Sequence, residues 1–147
     1  MHPKILTAAI ALGSGLAAAV ASAQQGNTIN VAVSGIRDNT GSIRCGLFNS
    51  ADSFPKDGKE FKGVEAPIAN GQPTCTLNNV PAGTYAVAYF KAAPGQTKMK
   101  TGMFGMPQDP YGFSRNATIN MGPPSFNSAA YTYSGAATTW PVSITYP

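Results

Sequence analysis

Cys45 and Cys75 are the only cysteines of this 147-residue chain, and His2 is its only histidine. His2 sits in an N-terminal segment that reads as a removable export signal, so the domain that follows has no histidine at all. That excludes Ser-His-Asp and Cys-His nucleophiles and the H-E-x-x-H zinc site, each of which needs an imidazole as base or ligand. No G-x-S-x-G elbow and no phosphate-cradling glycine loop occurs. The acids are Asp38, Asp52, Asp57, Glu60, Glu65 and Asp109. Any two could meet in space as a glycosidase pair, but nothing in their spacing suggests it. Asp38 belongs to a turn, the next four fall in a polar connection, and no motif promotes a Ser-Lys dyad. No catalytic residue, metal ligand or cofactor is assigned.

The two cysteines lack the C-x-x-C spacing of a redox pair and the histidine that would complete a zinc site. In an oxidising compartment two thiols most often pair. Ile43, Cys45 and Leu47 alternate on one strand face and Cys75 shares a face with Leu77, so both sulfurs are expected in the core as a structural disulfide. Asn116-Ala117-Thr118 matches a glycosylation sequon, a three-residue pattern common by chance.

The elements that must position these residues show period-two alternation, the mark of half-buried strands. Ile29, Val31 and Val33 alternate with polar or small residues. Asp38-Asn39-Thr40-Gly41 is a turn, and residues 43–48 form a return strand, together an N-terminal hairpin. Residues 64–68 make a short strand that Pro67 marks as an edge. After Asn70-Gly71, residues 74–77 run back, and Pro81-Ala82-Gly83 turns into a strand over 84–90. Tyr131 and Tyr133 alternate about Thr132. Trp140, Val142, Ile144 and Tyr146 define the last strand. With about seven short strands and no helical period, the expected fold is a single all-β immunoglobulin-like sandwich.

Residues 91–126 break this rhythm with five glycines, five prolines and the aromatics Phe104, Tyr111, Phe113 and Phe126. Long connections are usually functional or disordered, and aromatic enrichment argues for order. The preceding strand is apolar on both faces, with Tyr85, Val87 and Tyr89 on one and Ala86, Ala88 and Phe90 on the other. Such a strand needs cover on both sides. The excursion is therefore expected to fold back, with Phe104, Tyr111 or Phe113 against Ala86 and Ala88. Tyr111 and Phe113 are expected on opposite sides of a turn at Pro110-Tyr111-Gly112, one ring anchoring the loop and the other partly exposed. Phe104, Tyr111, Phe113, Arg115 and Phe126 are the candidate binding face.

Lys4, the apolar run over residues 5–20 and Ala21-Ser22-Ala23 have the tripartite form of a secretory signal, with a cut expected between Ala23 and Gln24. The run is too short and too rich in Ala and Gly to span the ~30 Å hydrocarbon core well. Residues 1–23 are thus expected to leave a single domain over 24–147, periplasmic or secreted and without a membrane span. Nine Lys or Arg then face six acids. Lys56, Lys59 and Lys62 interleave with Asp57 and Glu60, a solvated face and not a nucleic-acid stripe.

Several words occur in a specific order: residues 35–48, Phe54-Pro55, Pro81-Ala82-Gly83-Thr84-Tyr85-Ala86-Val87, Phe104-Gly105-Met106-Pro107, Tyr111-Gly112-Phe113-Ser114 and Gly122-Pro123-Pro124-Ser125-Phe126. Over about residues 27–146 the chain resembles the bacterial exported family known as domain of unknown function 2141. The resemblance implies an exported domain with a transthyretin-like, or prealbumin-like, sandwich and no established activity. Members often carry H-D-x-N-x-N-G-x-x-D after the Gly-Thr-Tyr strand, a spacing of oxygens that suits calcium. Here that stretch contains Ala92, Pro94, Lys91, Lys98 and Lys100 and no carboxylate, so no metal site carries over.

The function expected from these readings is a non-catalytic exported module that binds or scaffolds in the bacterial envelope, its partner a carbohydrate or an envelope protein. The alternatives are an envelope hydrolase with a site in residues 91–126 and a subunit of a surface assembly joined by strand addition.

Overall fold

The computed structural model describes residues 27–147, and the export signal read over residues 1–23 lies outside them. Among the described residues, eight strands run in the order β1 (Ile29–Ser34), β2 (Ser42–Phe48), β3 (Lys62–Pro67), β4 (Thr74–Leu77), β5 (Gly83–Ala92), β6 (Tyr111–Phe113), β7 (Tyr131–Tyr133) and β8 (Thr138–Ser143). They form two sheets, β4-β1-β8 and β3-β2-β5-β6, with β7 added to β5. The fold is all-β and sandwich-like, with one strand more than the sequence suggests. The extra strand is β6, three residues long and too short to show alternation.

β1, β2, β4 and β8 bury alternate residues. Ile29, Val31 and Val33 of β1 meet Ile43, Cys45 and Leu47 of β2 in one core, with Cys75, Leu77, Val87, Tyr89, Trp140 and Val142. The expected disulfide is present. Cys45 on β2 and Cys75 on β4 are buried, their Cα atoms 6.5 Å apart, and the bond ties one sheet to the other.

The N-terminal hairpin is not formed. β1 pairs antiparallel with β4 and parallel with β8, while β2 pairs with β3 and β5 in the opposite sheet. The turn signal at Asp38-Asn39-Thr40-Gly41 is real, but a reversal of direction does not say which sheet the returning strand joins. Placing β1 and β2 face to face lets both apolar sets bury each other across the core. The crossing uses Gly35 and Gly41, at φ +86° and +77°. At Gly41 the left-handed backbone lies against the Ala92 carbonyl, leaving no room for a Cβ. The turn at Asn70 and Gly71, φ 62° and 72°, likewise leads from one sheet to the other.

β5 organises the rest. It pairs with β2 over Ala86–Ala92, with β6 at Ala88–Phe90 and with β7 at Gly83–Tyr85. Its second apolar face is covered, as expected, by a second core of Phe48, Phe54, Ala86, Phe113 and Ala129. Phe54 sits at the centre, edge-on to Phe48, Phe113 and Phe126 with centroids 5.4, 5.9 and 6.0 Å away. The short helix α1 (Phe126–Ala129) closes this layer, capped where the Ser125 hydroxyl accepts a hydrogen bond from Ser128 N. Ser114, fully buried, pins the layer to the sheet by accepting from Val87 N at 2.8 Å and donating to the Ala129 carbonyl.

A candidate binding groove on the outer sheet face

Strand register sets the outer face of the four-stranded path. Inward positions of β2 are Ile43, Cys45 and Leu47, so Arg44, Gly46 and Phe48 point outward. One outward row reads Glu65, Arg44, Phe90, Tyr111 across β3, β2, β5 and β6, and the next reads Gly63, Gly46, Ala88, Phe113. Three of the four residues in the second row carry little or no side chain. At ~4.8 Å per strand they form a trough about 10 Å wide. A glycine inside a strand weakens it and often marks a place where something approaches the backbone closely.

Glu60 makes that approach. A Cβ on Gly46 would stand 3.4 Å from Glu60 Cγ and 3.2 Å from the Phe48 ring, and one on Gly63 would stand 3.9 Å from Glu60 Cγ. The trough opens into a groove of about 990 Å³, near the upper end of the range usual for small-molecule sites. One wall is the second core, at Phe48 and Phe113. The connection carrying Pro55, Asp57 and Glu60 forms another. A small hairpin over residues 100–108 overhangs the opening, closed by the Thr101–Pro107 bridge and by Gly102 N donating to Met106 O at 2.8 Å. Asp109 buckles its base, accepting from Gln96 Nε2 and Lys100 N, each at 2.7 Å.

The rim is apolar and bare. Phe104 is 95% exposed, Met106 49% and Met121 fully exposed, and all three line the groove. Phe104 and Met121 also hold left-handed backbone, both at φ 59°. A bulky residue there is strained, and such strain concentrates at ligand clamps and active sites. Methionine is flexible and polarisable, which suits a surface that must fit an apolar guest.

The charges in the groove are nearly matched. Arg44 meets Glu65 at 3.2 Å, and Ser42 Oγ donates to Glu65 at 2.7 Å. The Ser42 hydrogen bond, with help from Arg44, draws the Glu65 carboxyl below its ordinary value. Lys98 reaches Asp57 at 3.9 Å at the rim. Glu60 has neither a cation nor a hydrogen-bond donor among the described residues, and its Oε2 is sealed from water. No cluster of three metal-ligating side chains occurs among the described residues.

The five residues of the expected binding face are divided. Phe104, Tyr111 and Phe113 line the groove. Phe104 does not lie on Ala86 and Ala88 but projects from the tip of the hairpin. Tyr111 and Phe113 are not on opposite sides of a turn. They share one face of β6 with ring centroids 6.0 Å apart, because residues two apart on a strand point the same way. Phe126 is half-buried in the second core, outside the groove. Arg115 stands elsewhere on the surface, NH1 donating to the Ala130 carbonyl at 3.3 Å and the guanidinium 5.9 Å from the Tyr131 ring centre. The side chain of Asn116, the sequon asparagine, accepts from Ser143 N at 3.0 Å and so fastens β8. Sequence reasoning missed Glu60, Gly46, Gly63, Met106 and Met121. The two glycines within strands were the available signal.

A family model described as an uncharacterized protein conserved in bacteria, DUF2141, matches residues 31–140. Comparison with curated proteins and with solved structures finds no match.

Proposed function

The chain belongs to the DUF2141 family of bacteria, and we propose that it is an exported, non-catalytic module that binds an elongated apolar ligand in the outer-face groove. Export rests on the tripartite N-terminal sequence alone. The observation that carries the binding is the ring of bare apolar side chains, Phe104, Met106 and Met121, around a floor of small residues, Gly46, Gly63 and Ala88. A solvent-facing apolar concavity costs free energy unless a ligand covers it. The chemistry of the groove favours binding over turnover. Glu65 is held by Ser42 and Arg44, which engages one of the three groove carboxylates that a glycosidase pair would draw on. Strand addition is disfavoured at two sheet edges, since Pro141 lies on β8 and Pro67 ends β3.

The test is titration with uncharged N-phenyl-1-naphthylamine, which fluoresces in apolar surroundings. A saturable rise is expected in the wild type, lost when Ala88→Leu fills the trough and weakened when Met106→Ser and Met121→Ser strip the rim. No rise, or an equal rise in all variants, would sink the reading.

A further inference from the structure

Resting on that groove, we propose that it selects amphiphiles that carry a protonated amine on an apolar body, with Glu60 as the counter-ion. Groove-lining charges are Arg44 and Lys98 against Asp57, Glu60 and Glu65. Arg44 pairs with Glu65, and Lys98 stands 3.9 Å from Asp57 at the rim, so two cations against three carboxylates leave the groove one surplus negative charge in a chain whose net charge is +4. The surplus is Glu60, half-buried over the Gly46–Gly63 floor, with Oε2 shielded and undonated. A carboxylate in this condition has lost part of its hydration without a replacing hydrogen bond, and a cation nearby offsets the cost of its charge. Carboxylate charge is shared over both oxygens, so an ammonium docked on the groove side neutralises the group whichever oxygen it touches.

The surrounding walls fix what the rest of the ligand must be. The head would sit on the groove side of Glu60, whose stem packs over Gly46. The tail would run along Ala88 beneath Phe104, Met106 and Met121, which offer no hydrogen bonds. An anionic or zwitterionic head would place its negative group against Glu60 and be rejected. An uncharged head would leave the carboxylate unpaired, so the pairing supplies selectivity as well as affinity.

Displacement of N-phenyl-1-naphthylamine at pH 7 by sub-micellar dodecylamine, dodecanol and dodecanoate tests this, thermal melts confirming that each variant folds. In the wild type dodecylamine should displace roughly tenfold better than dodecanol, as one charge-assisted contact allows. Dodecanoate should be the weakest. Glu60→Gln should bring amine and alcohol within about twofold of each other. Glu60→Lys should reverse the order in favour of dodecanoate. An amine no better than the alcohol in the wild type, or a preference that survives Glu60→Gln, overturns the inference and leaves the apolar groove standing. Absence of any naphthylamine signal overturns the groove and the inference together.

Discussion

The phenol ring of Tyr89 lies across Gly112, in the space a Cβ at that position would need. The ring belongs to β5 and points into the main core, yet its hydroxyl reaches the far sheet and donates to the Ser143 carbonyl at 2.6 Å. Gly112 is therefore glycine for lack of room, not to make a turn. The ring is held by its backbone at one end and its hydrogen bond at the other, so it cannot swing clear of an added methyl. Gly112→Ala is expected to destabilise by about 1–3 kcal/mol, the usual cost of overpacking. Tyr89→Phe, which keeps the ring and loses one hydrogen bond, should cost about 1 kcal/mol. Urea denaturation of the two variants checks the order, and the naphthylamine titration should report a disturbed groove in Gly112→Ala, because β6 carries Tyr111 and Phe113.

Burial also pushes the Tyr89 hydroxyl well above its ordinary value of 10.0, and burial raises Tyr85 and Tyr133 as well. A raised folded-state value means the unfolded chain loses its proton first. The stabilisation is fully present below pH 10 and declines as pH rises above it. Melting temperature should be flat from neutral pH to about 10 in this respect and then fall, with the fall reduced in Tyr89→Phe.

Asp38 sets a limit at the other end of the scale. Its carboxylate accepts from the Thr40 hydroxyl at 2.6 Å and from Thr40 N at 2.9 Å, with Lys91 Nζ at 3.2 Å. Those hydrogen bonds, the Thr40 hydroxyl first, pull its pKa from 3.8 down to about 2. A lowered folded-state value contributes stability above pH 3.8 and loses it as pH falls toward 2. Titration of the Asp38 carboxyl by NMR should give a midpoint below 3.8, and Thr40→Ala should raise it. A midpoint unmoved by Thr40→Ala would show that the crossing loop is not organised by this contact.

The disulfide predicts a loss on reduction. Opening a loop of 30 residues costs about 3–4 kcal/mol in the chain-entropy model. Intact mass should rise by two hydrogens on reduction, and Cys45→Ala with Cys75→Ala should melt well below the wild type. Free thiols that react before reduction would contradict the bond.

Two buried hydroxyls should behave oppositely. Ser114 Oγ serves one backbone donor and one backbone acceptor, so Ser114→Ala strands both, at about 1–3 kcal/mol for each. The Tyr133 hydroxyl is buried without a hydrogen-bond partner among the described residues. Tyr133→Phe removes an unsatisfied group and should leave stability unchanged or raise it slightly. Chemical denaturation of both variants measures the contrast.

Local chemistry was enough to read seven of the eight strands, the edge at Pro67 and the inward cysteines, because alternation and turn residues act over a few positions. The two apolar faces of the strand through residues 84–90 were equally legible, and they foretold the second core under Phe113. What only the tertiary structure decided depends on partners distant in the chain. Whether β1 joins β2 or faces it is set by which apolar surfaces bury each other, and both arrangements share one alternation and one turn. Tyr89 meets Gly112 from another strand, so a space requirement looked like a turn. The groove follows the same rule. Gly63, Gly46 and Ala88 line up only when three strands pair in register, and Arg44 reaches Glu65 only because that register sets β2 beside β3. An ion pair is a property of side-chain positions in space, and charge order along a chain does not contain it.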